Sequence, residues 1–326
     1  MKFGPVQTLE AEGSVLAHSL KSGGLVLKKG HVLSAKDIKD LAPEFETLTV
    51  ATLDQNDTPE NEAAHALATA LRGSNLKIST AFTGRANLIA LKAGVVRINT
   101  DLLALNSVDE AISLATLPDH AQVTQGQLVA TIKIIPYAVP KDLLDKAIDR
   151  AGPIDLHPFK VRSASLILTE TPSLKRSLTQ KAETVLKARL SALQIDDVDV
   201  KICDHTTSDV RDAIHQAKGE IILILGGSAT SDRRDICPEG LVSAGGHLKR
   251  FGMPVDPGNL LFLGDFNGKP VVGLPGCVRS PALNGADWVL ERLAAGLDVR
   301  SQDIAAMGLG GLLKEIPTRP QPRRPK

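Results

Sequence analysis

Two glycines, followed by hydroxyl and charged residues, stand directly after the most apolar run of the chain. The run is Glu220–Leu225, and the residues after it read GGSATSDRRD. Glycines allow the backbone to approach a ligand closely, and consecutive main-chain N–H groups in such a turn form a concavity that binds oxyanions. The segment from Gly226 to Asp235 is therefore predicted to bind a phosphate. It is neither a GxGxxG loop nor a Walker loop, so neither common nucleotide signature applies.

The polar side chains of this segment have predicted roles of their own. Its hydroxyls would donate hydrogen bonds, and its arginines would bind a phosphate through their guanidinium groups. Asp235 is predicted to be catalytic and to hold Mg²⁺, because hard cations take carboxylate oxygens. The structural alternative is a glycine turn followed by a solvated run of charges. The residues predicted to bind are Gly226, Gly227, Ser228, Thr230, Ser231, Asp232 and Arg234.

Two further turns are predicted to lie beside this segment. Pro275 and Gly276 end one strand, and Arg279 follows them within reach of a phosphate. Asp204 ends another strand and is the second predicted catalytic residue. Ligands of open parallel sheets bind outside the carboxyl ends of the strands, so these turns are expected to share one pocket.

Other polar residues near these turns have structural interpretations. Ser208 or Asp209 is predicted to cap the next helix. His205 and His247 are placed beside the predicted pocket, where a packed or surface histidine is the preferred interpretation for each.

The elements that carry these turns alternate along the second half of the chain. Apolar runs predict strands over 165–168, 220–225, 260–263 and 270–274, and alternation predicts one over 198–203. Helical spacing predicts helices over 174–193, 208–217 and 284–297. This alternation predicts an α/β fold whose parallel sheet is covered by helices on both faces. Asn267-Gly268, between the last two strands, predicts a tight hairpin.

The first half of the chain is predicted to be an α+β region. Strands are expected over 14–17, 24–27, 48–52 and 127–135, and helices over 34–41, with Ser34 as its cap, 61–72 and 140–150. The predicted organisation is a small β-rich α+β region (1–75), a second α+β region (76–158), an α/β domain (159–300) and a Pro-rich linker or tail (301–326).

Composition excludes several classes of protein. Lys and Arg number 38, Asp and Glu 37, and the net charge is +1, which argues against a general nucleic-acid binder. No apolar run approaches the length of a membrane helix. The three cysteines are far apart, which fits a reducing cytoplasm rather than a zinc cluster. The expected protein is cytoplasmic, free of nucleic acid and membrane, and homo-oligomeric.

Two stretches resemble a known family. The stretch GGSATSDRRDICPEG is similar to the binding loop of molybdopterin adenylyltransferases, in which Pro-Arg-Asp-x-Thr-Pro-Glu follows a glycine-rich stretch. The stretch MPVDPGNLLFLGDFNGKPVVGLPGC is similar to the Pro-Gly, Gly-Lys-Pro and Leu-Pro-Gly segments of molybdopterin molybdenumtransferases. The resemblance implies a C-terminal molybdopterin-binding domain in molybdenum cofactor biosynthesis. It also implies nucleotidyl or molybdenum transfer, with ATP, CTP or molybdate as a second substrate and Mg²⁺ bridging phosphates.

The chain departs from that family at several positions. Ala229 replaces a glycine, Asp256 and Asn259 stand where the molybdenumtransferases have lysines, and Thr169-Glu170-Thr171 replaces their Gly-Asp-Glu. Lost cations disfavour the binding of molybdate, an anion. The alternative is therefore a non-catalytic module that binds molybdopterin or the cofactor and passes it to a partner enzyme or domain. A weaker alternative is a nucleotide-processing hydrolase on the same domain.

Overall fold

The computed structural model describes residues 1–22, 24–256 and 258–313. The chain forms two compact units, the first being Met1–His157 and the second beginning at Pro158. Within the described residues, every helix is too short or too polar to cross a bilayer. The Pro-rich part of the predicted tail, Ile316–Lys326, lies outside the described residues.

The first unit consists mainly of short antiparallel strands. Its strands pair in the orders β1-β5-β2, β10-β12-β8-β7, β11-β9-β14, β13-β6 and β3-β4. Its strands are β1 (Lys2–Gln7), β2 (Val15–Leu16), β3 (Leu20–Ser22), β4 (Leu25–Leu27), β5 (Thr47–Thr52), β6 (Asp57–Pro59), β7 (Leu76–Ile78), β8 (Arg85–Ala90), β9 (Gly94–Arg97), β10 (Ile112–Thr116), β11 (Gln122–Val123), β12 (Leu128–Ile134), β13 (Ala138–Pro140) and β14 (Asp155–Pro158). Its helices are α1 (Ala35–Leu41), α2 (Glu60–Leu71) and α3 (Lys141–Asp149), with 3₁₀ turns at Thr8–Glu10 and Thr100–Ser107.

Two apolar cores lie within this unit. One is built from buried residues between Ala11 and Val50, and the other from buried residues between Ala63 and Leu156. Helix α2 contributes Leu67 to the second core, which also contains residues of β8 and β12. A domain boundary at 75/76, as the sequence suggests, therefore separates α2 from the core in which it packs.

Helix α1 begins where the sequence predicts. Ser34 is its N-cap, and its hydroxyl accepts a hydrogen bond from the backbone N–H of Asp37 at 3.3 Å. The Asp37 carboxylate accepts the backbone N–H of Ser34 at 2.9 Å in return. This reciprocal capping box satisfies two otherwise unpaired donors of the first turn.

The second unit is built around one six-stranded sheet in the order β16-β15-β17-β20-β19-β18. The pairs β15·β16, β15·β17 and β17·β20 are parallel, whereas β19 is antiparallel to both of its neighbours. The prediction of a mostly parallel α/β sheet is therefore confirmed. Its strands are β15 (Ser163–Glu170), β16 (Asp197–Asp204), β17 (Ile221–Leu225), β18 (His247–Met253), β19 (Asn259–Phe266) and β20 (Lys269–Leu274). Its helices are α4 (Arg176–Ala192), α5 (Thr207–His215), α6 (Ile236–Ser243), α7 (Gly285–Ala294) and α8 (Ser301–Ala306), with a 3₁₀ turn at Gly276–Arg279.

The apolar run predicted as a central strand occupies the middle of this sheet. All five residues of β17 are buried, and β15 and β20 pair along its two edges. The predicted hairpin between β19 and β20 is also present: Asn267 and Gly268 have φ values of 49° and 76°. Positive φ at both central residues is the requirement of a tight type I′ turn.

In the second unit, α6, β18 and α8 differ from the sequence prediction. Helix α6 was not predicted, since Pro238 and Gly240 lie within it and both disfavour helix. Strand β18 was not predicted, since His247, Lys249 and Arg250 interrupt its apolar pattern. Helix α8 forms at the start of the segment interpreted as a linker, with Ile304 fully buried.

Candidate functional site

The carboxyl ends of the parallel strands bring together the turns that the sequence singles out. Leu225, at the end of β17, pairs with Leu274 of β20 and with Leu168 of β15. Glu170, at the end of β15, pairs with Asp204 of β16. The segments that begin at Gly226, Pro275 and Thr171 therefore leave the same edge of the sheet, which we call the carboxyl edge.

The two glycines after β17 are required by space rather than by an unusual backbone angle. Neither has a positive φ. A Cβ on Gly227 would lie 2.7 Å from the carbonyl oxygen of Thr169, and one on Gly226 would lie 2.8 Å from that of Ser228. The backbone N–H of Gly227 donates to the Thr169 hydroxyl at 2.8 Å. The glycine turn therefore packs directly against the end of β15.

Arg279 joins the glycine turn to the Pro-Gly turn. Its Nη2 donates to the carbonyl oxygen of Gly226 at 2.9 Å. Burial lowers the pKa of Arg279 from its usual value. A Cβ on Gly276 would lie 3.3 Å from the Arg279 guanidinium, so this glycine also makes room for it. Arg279, predicted to bind a phosphate, thus fixes the spacing of the two turns with one of its donors.

The segment that follows the glycine turn is largely open to solvent. Ser228, Ser231, Asp232 and Arg234 are exposed, and Thr230 is half-buried. Their predicted contacts with a phosphate remain predictions, and their accessible positions are compatible with that role.

Asp235 is the N-cap of α6. Its Oδ1 accepts the backbone N–H of Ile236 and its Oδ2 accepts that of Ser231, both at 2.8 Å. These two hydrogen bonds close the segment onto the start of the helix. Among the described residues, no group of three or more His, Cys, Asp or Glu side chains is arranged around a common metal position. The role of Asp235 as a Mg²⁺ ligand stays a prediction.

Replacing Asp235 by Asn is expected to lower the stability of the second unit by about 1 kcal/mol, the contribution of the one backbone hydrogen bond that is lost. The amide has one acceptor oxygen, so its NH₂ group must face one of the two backbone N–H donors. Asp232→Asn is the matched control, because Asp232 accepts only through Oδ1, from Arg234 N at 2.8 Å. Urea unfolding followed through the fluorescence of Trp288, the single tryptophan of the chain and part of α7, measures both variants. Equal stabilities would contradict the double-acceptor role.

A cleft of about 500 Å³ opens at the carboxyl ends of β15 and β16. Pro172 and Leu174 form its apolar part, and Glu170 and Asp204 bring two carboxylates to it. The side chains that line it include no lysine or arginine. Its full lining is Glu170, Thr171, Pro172, Leu174, Asp204, His205 and Thr206.

His205 is held between the cleft and the glycine turn. Its Nδ1 lies 2.7 Å from the hydroxyl of Thr169, the same hydroxyl that accepts the N–H of Gly227. Burial lowers the pKa of His205, and this effect outweighs the attraction of Asp235, which raises it. The lowered pKa favours the neutral imidazole, which can both donate and accept a hydrogen bond.

Residues 5–43 match the model of a domain of unknown function, DUF8806. The search of curated proteins found no match. The DUF8806 segment lies in the first unit, so the carboxyl edge of the second unit falls outside it.

The DUF8806 segment contains a polar cluster of its own. Asp37 Oδ2 receives the Ser34 hydroxyl at 2.6 Å and lies 2.9 Å from Nε2 of His31. The hydrogen bonds from Ser34, followed by that of His31, lower the pKa of Asp37 to about 2. All of these contacts meet on one carboxylate oxygen at a helix start, which is the arrangement of a cap.

Beyond the DUF8806 segment, a buried network anchors the chain that follows the Pro-Gly turn. Arg189 of α4 forms an ion pair with Asp287 and donates to the carbonyl oxygen of Ala282 at 2.8 Å. Asp287 accepts the N–H of Asn284 at 2.8 Å, and Nδ2 of Asn284 lies 2.8 Å from Sγ of Cys277. The network stabilises the position of the turn that carries Arg279.

The sequence predicts some of the residues that line the cleft but not the others. It named Asp204, but it did not assign Glu170, Thr171 or Thr206 to the site, and it favoured a packed or surface role for His205. Thr206, rather than Ser208 or Asp209, is the N-cap of α5. The available signal was position: each missed residue lies two or three positions after the end of a predicted strand.

The placement of His247 beside the pocket is wrong. His247 pairs with Asp265, which pairs with Pro270 near the start of β20. Because β20 ends at Leu274 on the carboxyl edge, His247 lies at the opposite edge of the sheet. That edge has a cavity of about 330 Å³, where Lys249 and Asp265 form an ion pair at 3.2 Å.

Proposed function

We propose that the second unit binds molybdopterin at the carboxyl edge of its sheet and serves in molybdenum cofactor assembly. One observation carries the proposal: the two stretches that resemble the molybdopterin-binding family meet there, because Leu225, just before the first stretch, pairs with Leu274 of the second. Arg279, two residues beyond the second stretch, donates a 2.9 Å hydrogen bond to Gly226 of the first. Two separate motifs of one family are thus side by side at the edge where parallel sheets bind ligands.

The phosphate and the pterin of molybdopterin each have a suitable partner at this edge. The terminal phosphate suits the exposed hydroxyls and backbone N–H groups that follow Gly227, with Arg234 able to add charge. The planar pterin suits the cleft of about 500 Å³, which has apolar walls and polar groups at its rim.

Two residues favour ligand binding over transfer chemistry, because their side chains already make hydrogen bonds within the protein. Both carboxylate oxygens of Asp235 accept hydrogen bonds from backbone N–H groups. Asn259, at a position where the molybdenumtransferases have a lysine, is 6% exposed and its Oδ1 accepts the N–H of Leu261. Asn259 is therefore a structural residue. We propose a module that holds molybdopterin or the finished cofactor for a partner enzyme or domain.

The proposal is tested by purifying the chain from a molybdopterin-producing host and identifying the released ligand by mass spectrometry. The wild type is expected to retain molybdopterin. Gly227→Ala is expected to reduce the retained amount by about tenfold or more, since losing 1.4 kcal/mol of binding energy is enough for that factor. The added methyl would lie 2.7 Å from a main-chain oxygen and displace the turn.

Gly308→Ala is the matched control for this experiment. A Cβ there would lie no closer than 3.5 Å to any neighbour, so ligand retention is expected to be unchanged. Thermal unfolding of all three proteins separates loss of binding from loss of the fold. A wild type that releases no pterin from such a host would contradict the proposal.

A further inference from the structure

Two carboxylates stand side by side at the mouth of the cleft. Glu170 and Asp204 are register partners at the ends of the parallel strands β15 and β16. Register partners in a sheet carry their Cβ atoms on the same face. Both side chains line the cleft of about 500 Å³. The cleft therefore offers hydrogen-bond acceptors from two strands on one wall.

Glu170 has acceptor capacity that the protein does not use. Its Oε1 is buried and has no hydrogen-bond partner. Buried polar atoms in folded proteins are nearly always paired, and an unpaired one calls for an explanation such as a missing ligand. Glu170 also lines the cleft, so turning its carboxylate toward the cleft would present this oxygen to a donor bound there.

The rest of the lining indicates what kind of donor fits. Pro172 and Leu174 provide apolar contact for a flat ring, and Thr171 and Thr206 provide hydroxyls. An ionised carboxylate only accepts, and it pairs best with two parallel N–H donors on one planar edge. A 2-amino-4-oxo pyrimidine edge has this pattern in its N3–H and 2-amino groups, and both pterins and guanines carry it.

We propose that Glu170, with Asp204 beside it, recognises the 2-amino-4-oxo edge of a pterin, so that the cleft selects 2-amino over 2-oxo pteridines. The inference rests on the proposed function for the choice of pterin over guanine. The edge chemistry itself follows from the cleft alone. Lumazine, the 2-oxo counterpart of pterin, replaces the amino donor by a carbonyl oxygen that would face the carboxylate.

The test is titration of the full chain, freed of bound ligand, with pterin and with lumazine, followed by pterin fluorescence or calorimetry. The wild type is expected to bind pterin at least about tenfold more tightly, because a site built to accept a hydrogen bond rejects the analogue that lacks the donor. Equal affinities for pterin and lumazine would overturn the inference.

Glu170→Gln tests the role of this carboxylate through the preference for pterin over lumazine, which a purely structural role would leave unchanged. A glutamine offers one acceptor and one donor, which matches the N3–H and 2-oxo groups of lumazine. The pterin preference is therefore expected to fall by about tenfold or more and to move toward lumazine. Glu183→Gln on α4, outside the cleft lining, is expected to keep the wild-type preference. A Glu170→Gln variant with an unchanged preference would overturn the inference, and the wild-type comparison decides alone if this variant does not fold.

Two further measurements complete the experiment: a titration with guanosine, and pterin binding with and without Mg²⁺. Guanosine bound more tightly than pterin, with inosine rejected, would support recognition of the edge and contradict the proposed molybdopterin function. Pterin binding that requires Mg²⁺ would overturn direct recognition by the carboxylate, because the cation would then occupy the acceptors.

Discussion

Replacing Gly273 by alanine is expected to destabilise the second unit by about 3 kcal/mol, at the upper end of typical overpacking effects. Gly273 of β20 is the register partner of Phe262 on β19. A Cβ on Gly273 would lie 1.9 Å from one ring atom of Phe262 and 2.0 Å from another. Phe262 is 1% exposed, so its ring lacks free space into which it can turn. The glycine therefore provides the space that the ring occupies.

A double-mutant cycle checks the cause of this effect. Phe262→Leu removes the ring atoms that the new methyl would meet, so Gly273→Ala is expected to be much less destabilising in that background. Urea unfolding followed by Trp288 fluorescence reports the second unit directly, because Trp288 lies in α7. Gly308→Ala is again the control and should change stability by less than about 1 kcal/mol. Strictly additive effects at Gly273 and Phe262 would contradict the steric explanation.

The sequence predicts the parallel part of the sheet well because burial there follows a simple rule. Strands covered on both faces are continuous apolar runs, and Ile221–Leu225 is such a run. Edge strands and short capped helices lack that signal. The edge strand His247–Met253 is neither a continuous apolar run nor a regular alternation, because Lys249 and Arg250 are adjacent. Ile236–Ser243 depends on the cap at Asp235 more than on its own propensity.

The candidate site also has parts that the sequence predicts and parts that it does not. The glycine and Pro-Gly turns are visible in the sequence because they use residues with special backbone properties. The cleft is built from ordinary residues that only the register of β15 and β16 brings together. Thr169 and His205 are 36 positions apart along the chain, and no local pattern joins them.

Asp235 illustrates why the sequence alone leaves the role of a residue open. An acidic residue after a glycine turn fits a metal ligand and a helix cap equally well. The two roles differ only in where the backbone N–H groups of Ser231 and Ile236 point. That information belongs to the fold and is absent from the sequence.

The second unit is also expected to lose stability as the pH rises from about 4.5 to about 7, because of Glu291 on α7. Burial, reinforced by Asp287, raises the pKa of Glu291 from 4.5 to about 7, and Arg292 opposes this shift only in part. Between these values the folded state keeps a proton that the unfolded state has released. Stability therefore falls with rising pH across this window, and the contribution of Glu291 is level below and above it.

Glu291→Gln should remove most of this slope. An amide stays neutral at every pH, so the variant is expected to match the wild type near pH 4.5 and to exceed it at pH 8. The expected gain is about 3 kcal/mol, from about 1.4 kcal/mol for each unit of pKa between 4.5 and about 7. Urea unfolding at a series of pH values with Trp288 as the reporter measures it. Glu183→Gln replaces a partly exposed carboxylate on α4, whose ion pair with Lys187 is a helix-surface contact, and should leave the slope in place. A Glu291→Gln variant whose stability still falls as steeply as that of the wild type would show that the proton is bound elsewhere in the unit.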